Sequence, residues 1–252
     1  MGFWDLKAAL EWQIACGVDE AIQDIPIDRT ALEPAAKPTG KLAAAPEAAA
    51  EVDAVAIARH AAGEADTLDA LKATMEAYDL CDLKRGARQL VFADGQPGAR
   101  VMIIGEAPGR DEDLQGKPFV GRAGQLLDLM FSHIGLSRET PDKQRALYIT
   151  NVLPWRPPQN RDPLPDEMAM MLPFLARHVE LIDPDVIVAM GNHACQALLG
   201  KRGITRLRGT WNEAFGKPVL PMFHPAYLLR TSAAKREAWA DLLALKSRLT
   251  DK

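Results

Sequence analysis

Four carboxylates, Glu106, Asp111, Glu112 and Asp113, crowd the segment GEAPGRDED (105–113). Carboxylates this close raise one another's pKa and can serve as a general base or as stabilisers of positive charge. Gly105 and Gly109 permit tight turns and close backbone approach, and Pro108 stiffens the loop. No GKS or GKT follows and the spacing is not GxGxxG, so neither phosphate-cradling loop is present. A second segment, HPAYLLR (224–230), places His224 ahead of a proline-stiffened turn carrying Tyr227, Leu228, Leu229 and Arg230. Leucines at a loop tip beside arginine are costly in water; they read either as an insertion into a partner or as the start of the final helix. Asn151 ends an apolar run and offers an amide to a ligand.

The elements around these residues alternate. Short β-rich runs at 99–105, 146–155, 185–191 and 217–225 are separated by stretches of helical spacing at 123–135, 166–182 and 193–200, and a final amphipathic stretch follows from 233. Pro173 is expected to kink or divide the helix over 166–182. Near-continuous apolar strands alternating with helices predict a three-layer α/β/α fold around a central, mostly parallel, four-stranded sheet. Such sheets bind ligands outside the carboxyl ends of their strands. GEAPGRDED, TNVLPWRPPQNRD and HPAYLLR all sit there.

Composition sets the wider frame. With 48% hydrophobic and 25% charged residues, the chain is of globular type, and no apolar run reaches the roughly 18–20 residues of a membrane span. The N-terminus lacks a signal-peptide core, and three scattered cysteines, Cys16, Cys81 and Cys195, suit a reducing cytosol; a cytoplasmic protein is expected. The net charge of −4 is uneven: residues 1–80 are acidic and the remainder is basic, which allows a nucleic-acid partner for the C-terminal part. Residues 1–23 hold an amphipathic helix (3–16), with Trp4 and Trp12 available to dock on the main domain or a protein partner. Residues 24–50 form an Ala/Pro-rich linker, 51–64 a helical lead-in, and 65–252 the functional domain, in which Thr67 is an N-cap.

From about residue 66 onward the chain resembles the uracil-DNA glycosylase superfamily, and most closely its family 4. The matching segments are GEAPGRDEDLQGKPFVGRAGQLLD, YITNVLPWRPPQNRDP, DVIVAMG and HPAYLLR, in the family's order. The resemblance implies an enzyme that flips uracil out of DNA and hydrolyses its N-glycosidic bond, leaving an abasic site. A relative that binds uracil or abasic DNA with little turnover is the alternative.

By the same resemblance, Glu106 and Glu112 activate water and stabilise the sugar cation, with Glu106 ranked first, and His224 donates to uracil O2. Ala107, Phe119 and Asn151 form the base-binding set: Phe119 stacks on the base and Asn151 reads its edge. Leu228 fills the gap left by the flipped nucleotide, while Arg230 and the basic set Lys201, Arg202, Arg206 and Arg208 meet phosphates. Uracil-containing DNA is the expected partner, without a membrane, and the protein is expected to act as a monomer. Family 4 members typically hold a 4Fe–4S cluster on four cysteines. Of the corresponding positions here, only Cys81 is a cysteine; Tyr78, Trp155 and Met171 stand at the other three. No cluster and no other metal is expected, and an apolar plug of these side chains takes the cluster's place.

Overall fold

Every residue of the run Val101–Gly105 is buried, and so is every residue of Leu147–Asn151 and Val186–Met190. Strands apolar on both faces need cover on both sides, and the chain supplies it. The computed structural model describes Lys7 and residues 53–250. Apart from Lys7, the helix expected over 3–16 lies outside the described residues, as does the linker over 24–50.

Helices α1 (Ala54–Gly63) and α2 (Leu68–Ala77) come first, followed by a single turn, α3 (Leu83–Gly86). Thr67 caps α2, its hydroxyl accepting from the Ala70 N–H at 3.1 Å. Strands β1 (Asp94–Gly95) and β2 (Val101–Gly105) lead into α4 (Arg110–Gln115) and α5 (Arg122–Ser132). Then come β3 (Leu147–Asn151), α6 (Pro165–Ile182), β4 (Val186–Met190) and α7 (Gly191–Leu199). The short α8 (Ile204–Leu207), β5 (Asn212–Ala214), β6 (Lys217–Met222), α9 (Pro225–Arg230) and α10 (Lys235–Thr250) complete the order.

The sheet runs β1-β3-β2-β4-β6-β5. Its four central strands are parallel, as expected, with Ile103 opposite Ile149 on one side and opposite Val188 on the other. Two short antiparallel edge strands widen it to six: β1 pairs with β3 and β5 with β6. At two and three residues these edges are too short to carry an apolar alternation, so the expected count of four strands is corrected to six.

Alternate residues of each strand feed two cores. Met102, Ile104, Ile187 and Val219 join Ala58, Leu71, Phe174 and Ala194 of α1, α2, α6 and α7. Ile103, Ile149, Val188 and Leu220 join Leu127 and Phe131 of α5 and Leu242 and Leu245 of α10. Three layers result. Helix α1 belongs to the same compact unit, which begins at Val52. Pro173 does not divide α6, which runs unbroken for 18 residues. Among the described residues no helix is long and apolar enough to cross a membrane.

One buried polar group ties α6 to the sheet. His178 Nε2 and the Tyr148 hydroxyl lie 2.7 Å apart, and Phe92 stacks on the imidazole at 4.5 Å. Burial pushes the His178 pKa down to about 3. The unfolded chain therefore takes up a proton near pH 6.5 that the folded protein refuses, and stability falls as pH drops from about 6.5 toward 3. Between pH 7 and pH 5 this group accounts for a loss of about 2 kcal/mol. Denaturant unfolding at the two pH values should show that much less acid sensitivity in His178→Gln. An unchanged pH difference would mean that His178 titrates normally in the fold.

Candidate active site

The order β3-β2-β4-β6 means that the chain leaves β2 toward one side and later returns on the other, a switch point that opens a crevice at the carboxyl ends. A cleft of about 510 Å³ lies there, lined among others by Glu106, Ala107, Glu112, Phe119, Asn151, His224 and Arg230. Glu106 follows β2, Asn151 ends β3 and His224 follows β6, so residues up to 118 positions apart are brought to one edge because their strands run parallel in the same sheet.

Gly105 and Asn151 face each other across the β2–β3 register. A Cβ on Gly105 would stand 2.3 Å from Asn151 Oδ1 and 2.6 Å from the Phe119 ring, so only glycine admits both side chains. Asn151 is 6% exposed, yet its amide makes no hydrogen bond to protein among the described residues. A mostly buried amide without a protein partner is open to a water or a ligand.

Phe119 has φ +53°, a conformation that costs a bulky residue about 1–3 kcal/mol. The peptides around it are fastened from two sides. Arg138 donates to the Pro118 and Phe119 carbonyls at 2.8 and 2.9 Å, and is itself paired with Asp94 and Asp128. On the other side, the Val120 and Gly121 N–H groups donate to Glu112 Oε1, both at 2.9 Å. Helix α5 fits flush against this turn, since a Cβ on Gly124 would stand 1.8 Å from the Phe119 carbonyl oxygen. The Phe119 and His224 rings stack at 5.4 Å.

The two glutamates differ in what they have left to offer. Besides the two bonds to Oε1, Glu112 Oε2 accepts from the Gly109 N–H at 3.1 Å, so backbone amides engage both oxygens. Glu106 is one-third exposed and, among the described residues, has only its Oε2 engaged, by His193. Its second oxygen is free to meet a water in the cleft.

His224 Nδ1 accepts from the Ala226 N–H at 3.1 Å, which leaves the proton of the neutral ring on Nε2. Desolvation, then the nearby Arg230 charge, pushes its pKa down to about 4 against the opposing pull of Glu112. At neutral pH it is an uncharged hydrogen-bond donor.

Two positions differ from expectation. Leu228 is 1% exposed, packed with Phe223, Ala234 and Ala238, while Leu229 is 41% exposed. The α9 turn faces Leu228 inward and leaves Leu229 at the surface. Arg208 is not a free cation: it forms a two-pronged ion pair with Asp241, donates to the Glu237 carbonyl and lies over the Phe223 ring. It braces α8 against α10. Arg230, Lys201, Arg202 and Arg206 remain exposed. Sequence reasoning missed Asn160 and Arg161, which line the cleft from the segment after β3, and His193 behind Glu106. The polar composition of that segment was the available signal for the first two.

A three-layer fold with an amide, an aromatic ring, a neutral histidine and a carboxylate converging on one switch-point cleft defines an α/β protein with a ligand-sized polar site at its strand ends. Comparison with known families gives it a name: residues 92–243 match the Uracil DNA glycosylase superfamily, and the chain belongs to it. Three relatives are each named Type-4 uracil-DNA glycosylase. That of Saccharolobus solfataricus is 37% identical over 74% of this chain and 88% of its own length. That of Thermotoga maritima is 43% identical over 60% and 77%, and that of Archaeoglobus fulgidus 40% identical over 70% and 90%.

The two leucines separate cleanly in an unfolding experiment. Leu228→Ala should lower unfolding free energy by about 2–4 kcal/mol through the cavity it leaves. Leu229→Ala should change it by less than about 0.5 kcal/mol. Equal effects in denaturant titrations would mean that the α9 turn is rotated from the orientation described.

Proposed function

We propose that this protein is a uracil-DNA glycosylase of the type-4 kind, which extrudes uracil from DNA and hydrolyses the bond between uracil N1 and deoxyribose C1′. The observation that carries this reading is the convergence of Asn151, Phe119, His224 and Glu106 on one cleft in a chain of this superfamily. The names of the three relatives support it.

The chemistry follows from the groups present. As the C1′–N1 electron pair moves into the base, negative charge gathers on uracil O2 and positive charge on the sugar. Neutral His224 offers its Nε2–H to O2 without first losing a proton to solvent. Glu106, with a free carboxylate oxygen, faces the sugar side, stabilises the cation and takes a proton from the water that attacks C1′. Phe119 stacks on the base, and the Asn151 amide fits the donor–acceptor edge by which uracil differs from cytosine. Glu112 holds the loops in place. Leu229 enters the gap left by the extruded nucleotide, and Arg230 with Lys201, Arg202 and Arg206 meets phosphates.

An iron–sulfur cluster, which family resemblance implies, does not fit the residues present. Such a cluster needs four thiolates. Tyr78 donates its hydroxyl to the Ala54 carbonyl at 2.7 Å and sets its ring edge-on to Phe174. Trp155 and Met171 are buried in the same apolar core as Tyr78 and Cys81. Burial, more than any neighbouring charge, raises the Cys81 pKa and keeps it a thiol. We infer that these side chains pin α1 and α2 to α6 in place of a cluster.

An oligonucleotide with a single uracil tests the central reading. Wild-type protein should yield an alkali-labile abasic site, and Glu106→Gln and His224→Ala should each slow release by roughly 10²–10³-fold in single turnovers. A shifted band without alkali-labile product would favour a binding protein instead. For the cluster, anaerobically purified protein should be colourless and lack stoichiometric iron and sulfide. Four iron atoms per chain would contradict the plug.

A further inference from the structure

We infer that His193 is a positioning residue, which acts through Glu106 to fix the carboxylate that faces the sugar. The inference rests on the glycosylase reading above and assigns the group that makes Glu106 effective. His193 is the third residue of α7, the helix that springs from the carboxyl end of β4, and its side chain is 12% exposed. Its Nδ1 lies 2.5 Å from Glu106 Oε2. An ionised carboxylate can only accept, so Nδ1 is the donor in this contact. Glu106 lines the cleft and His193 does not, so the imidazole stands behind the carboxylate.

The physical need is clear from the location of Glu106. It is the first residue beyond β2, one-third exposed, and a free glutamate loses about 1.5–2 kcal/mol of rotamer entropy when confined. A catalytic carboxylate must hold its oxygen within about 0.5 Å of the productive position. Capture of Oε2 by His193 removes that freedom beforehand and directs Oε1 to the water. No proton needs to cross the His193–Glu106 bond; the water's proton goes to Oε1. The far side of the ring, Nε2, lies 3.7 Å from Asp162, whose side chain is 83% exposed.

The test compares single-turnover uracil release and abasic-product affinity across His193→Ala, His193→Asn, Glu106→Gln and the double variant Glu106→Gln/His193→Ala. The asparagine Nδ2 can take the place of Nδ1. His193→Ala should slow release by about 10–100-fold, as loss of an orienting partner does, with product affinity within about twofold. His193→Asn should recover most of the rate. On the Glu106→Gln background, His193→Ala should add nothing, because the two groups act as one unit. A wild-type rate in His193→Ala beside a slow Glu106→Gln would overturn the positioning role and leave the glycosylase reading standing. So would equal losses in the alanine and asparagine variants, additive losses in the double variant, or a deficit that vanishes when rates are expressed per folded molecule. A Glu106→Gln variant at wild-type rate would instead remove the catalytic role of Glu106, and with it this inference.

Discussion

The geometry of the cleft depends on three hydrogen bonds to one carboxylate. Glu112 accepts from Gly109 at the start of α4 and from Val120 and Gly121 in the turn before α5. It thereby ties the loop that carries Glu106 to the turn that carries Phe119. The turn needs the tie, because Phe119 is held at a positive φ that an unrestrained chain would abandon. Hydrogen bonds to a charged acceptor are each worth about 1.5–3 kcal/mol, enough together to exceed that strain. Arg138 completes the restraint from the carbonyl side, and it draws in β1 through Asp94 and α5 through Asp128. An edge strand of two residues thus matters to the site.

Around this clamp the parallel sheet does the rest. Three strand ends deliver an amide, a carboxylate and an imidazole to one crevice, each from a backbone rigid enough to hold it. The environment then sets the protonation states. Desolvation keeps His224 uncharged far below its ordinary pKa, and the Ala226 N–H selects the tautomer. Glu106 stays one-third open to solvent and, among the described residues, keeps an oxygen free. The contrast between the two glutamates is one of occupancy: both line the cleft, but backbone amides engage both oxygens of Glu112.

Much of this was legible in the sequence where the signal was local. The four parallel strands, the Thr67 cap and the strand-end placement of Glu106, Asn151 and His224 follow from apolar runs, turn residues and period. What escaped was long-range. Arg208 and Asp241 are 33 positions apart, and nothing near Arg208 marks it as an internal brace rather than a phosphate contact. His193 and Glu106 are 87 positions apart and meet only because β2 and β4 are neighbours. Leu228 and Leu229 are adjacent leucines, and which one faces inward is set by the start of α9 at Pro225, a boundary that composition leaves uncertain by a residue or two. Pro173 was expected to kink or divide α6; it does not divide it, and neighbouring Phe174 and Leu175 are buried in the core.

The account stands or falls on what the cleft holds, and a crystal structure of the protein with free uracil reads that directly. The base should lie on the Phe119 ring with its N3–O4 edge on the Asn151 amide and O2 within about 3 Å of His224 Nε2. Uracil bound elsewhere, or seated in the cleft with Asn151 and His224 turned away from it, would contradict the account.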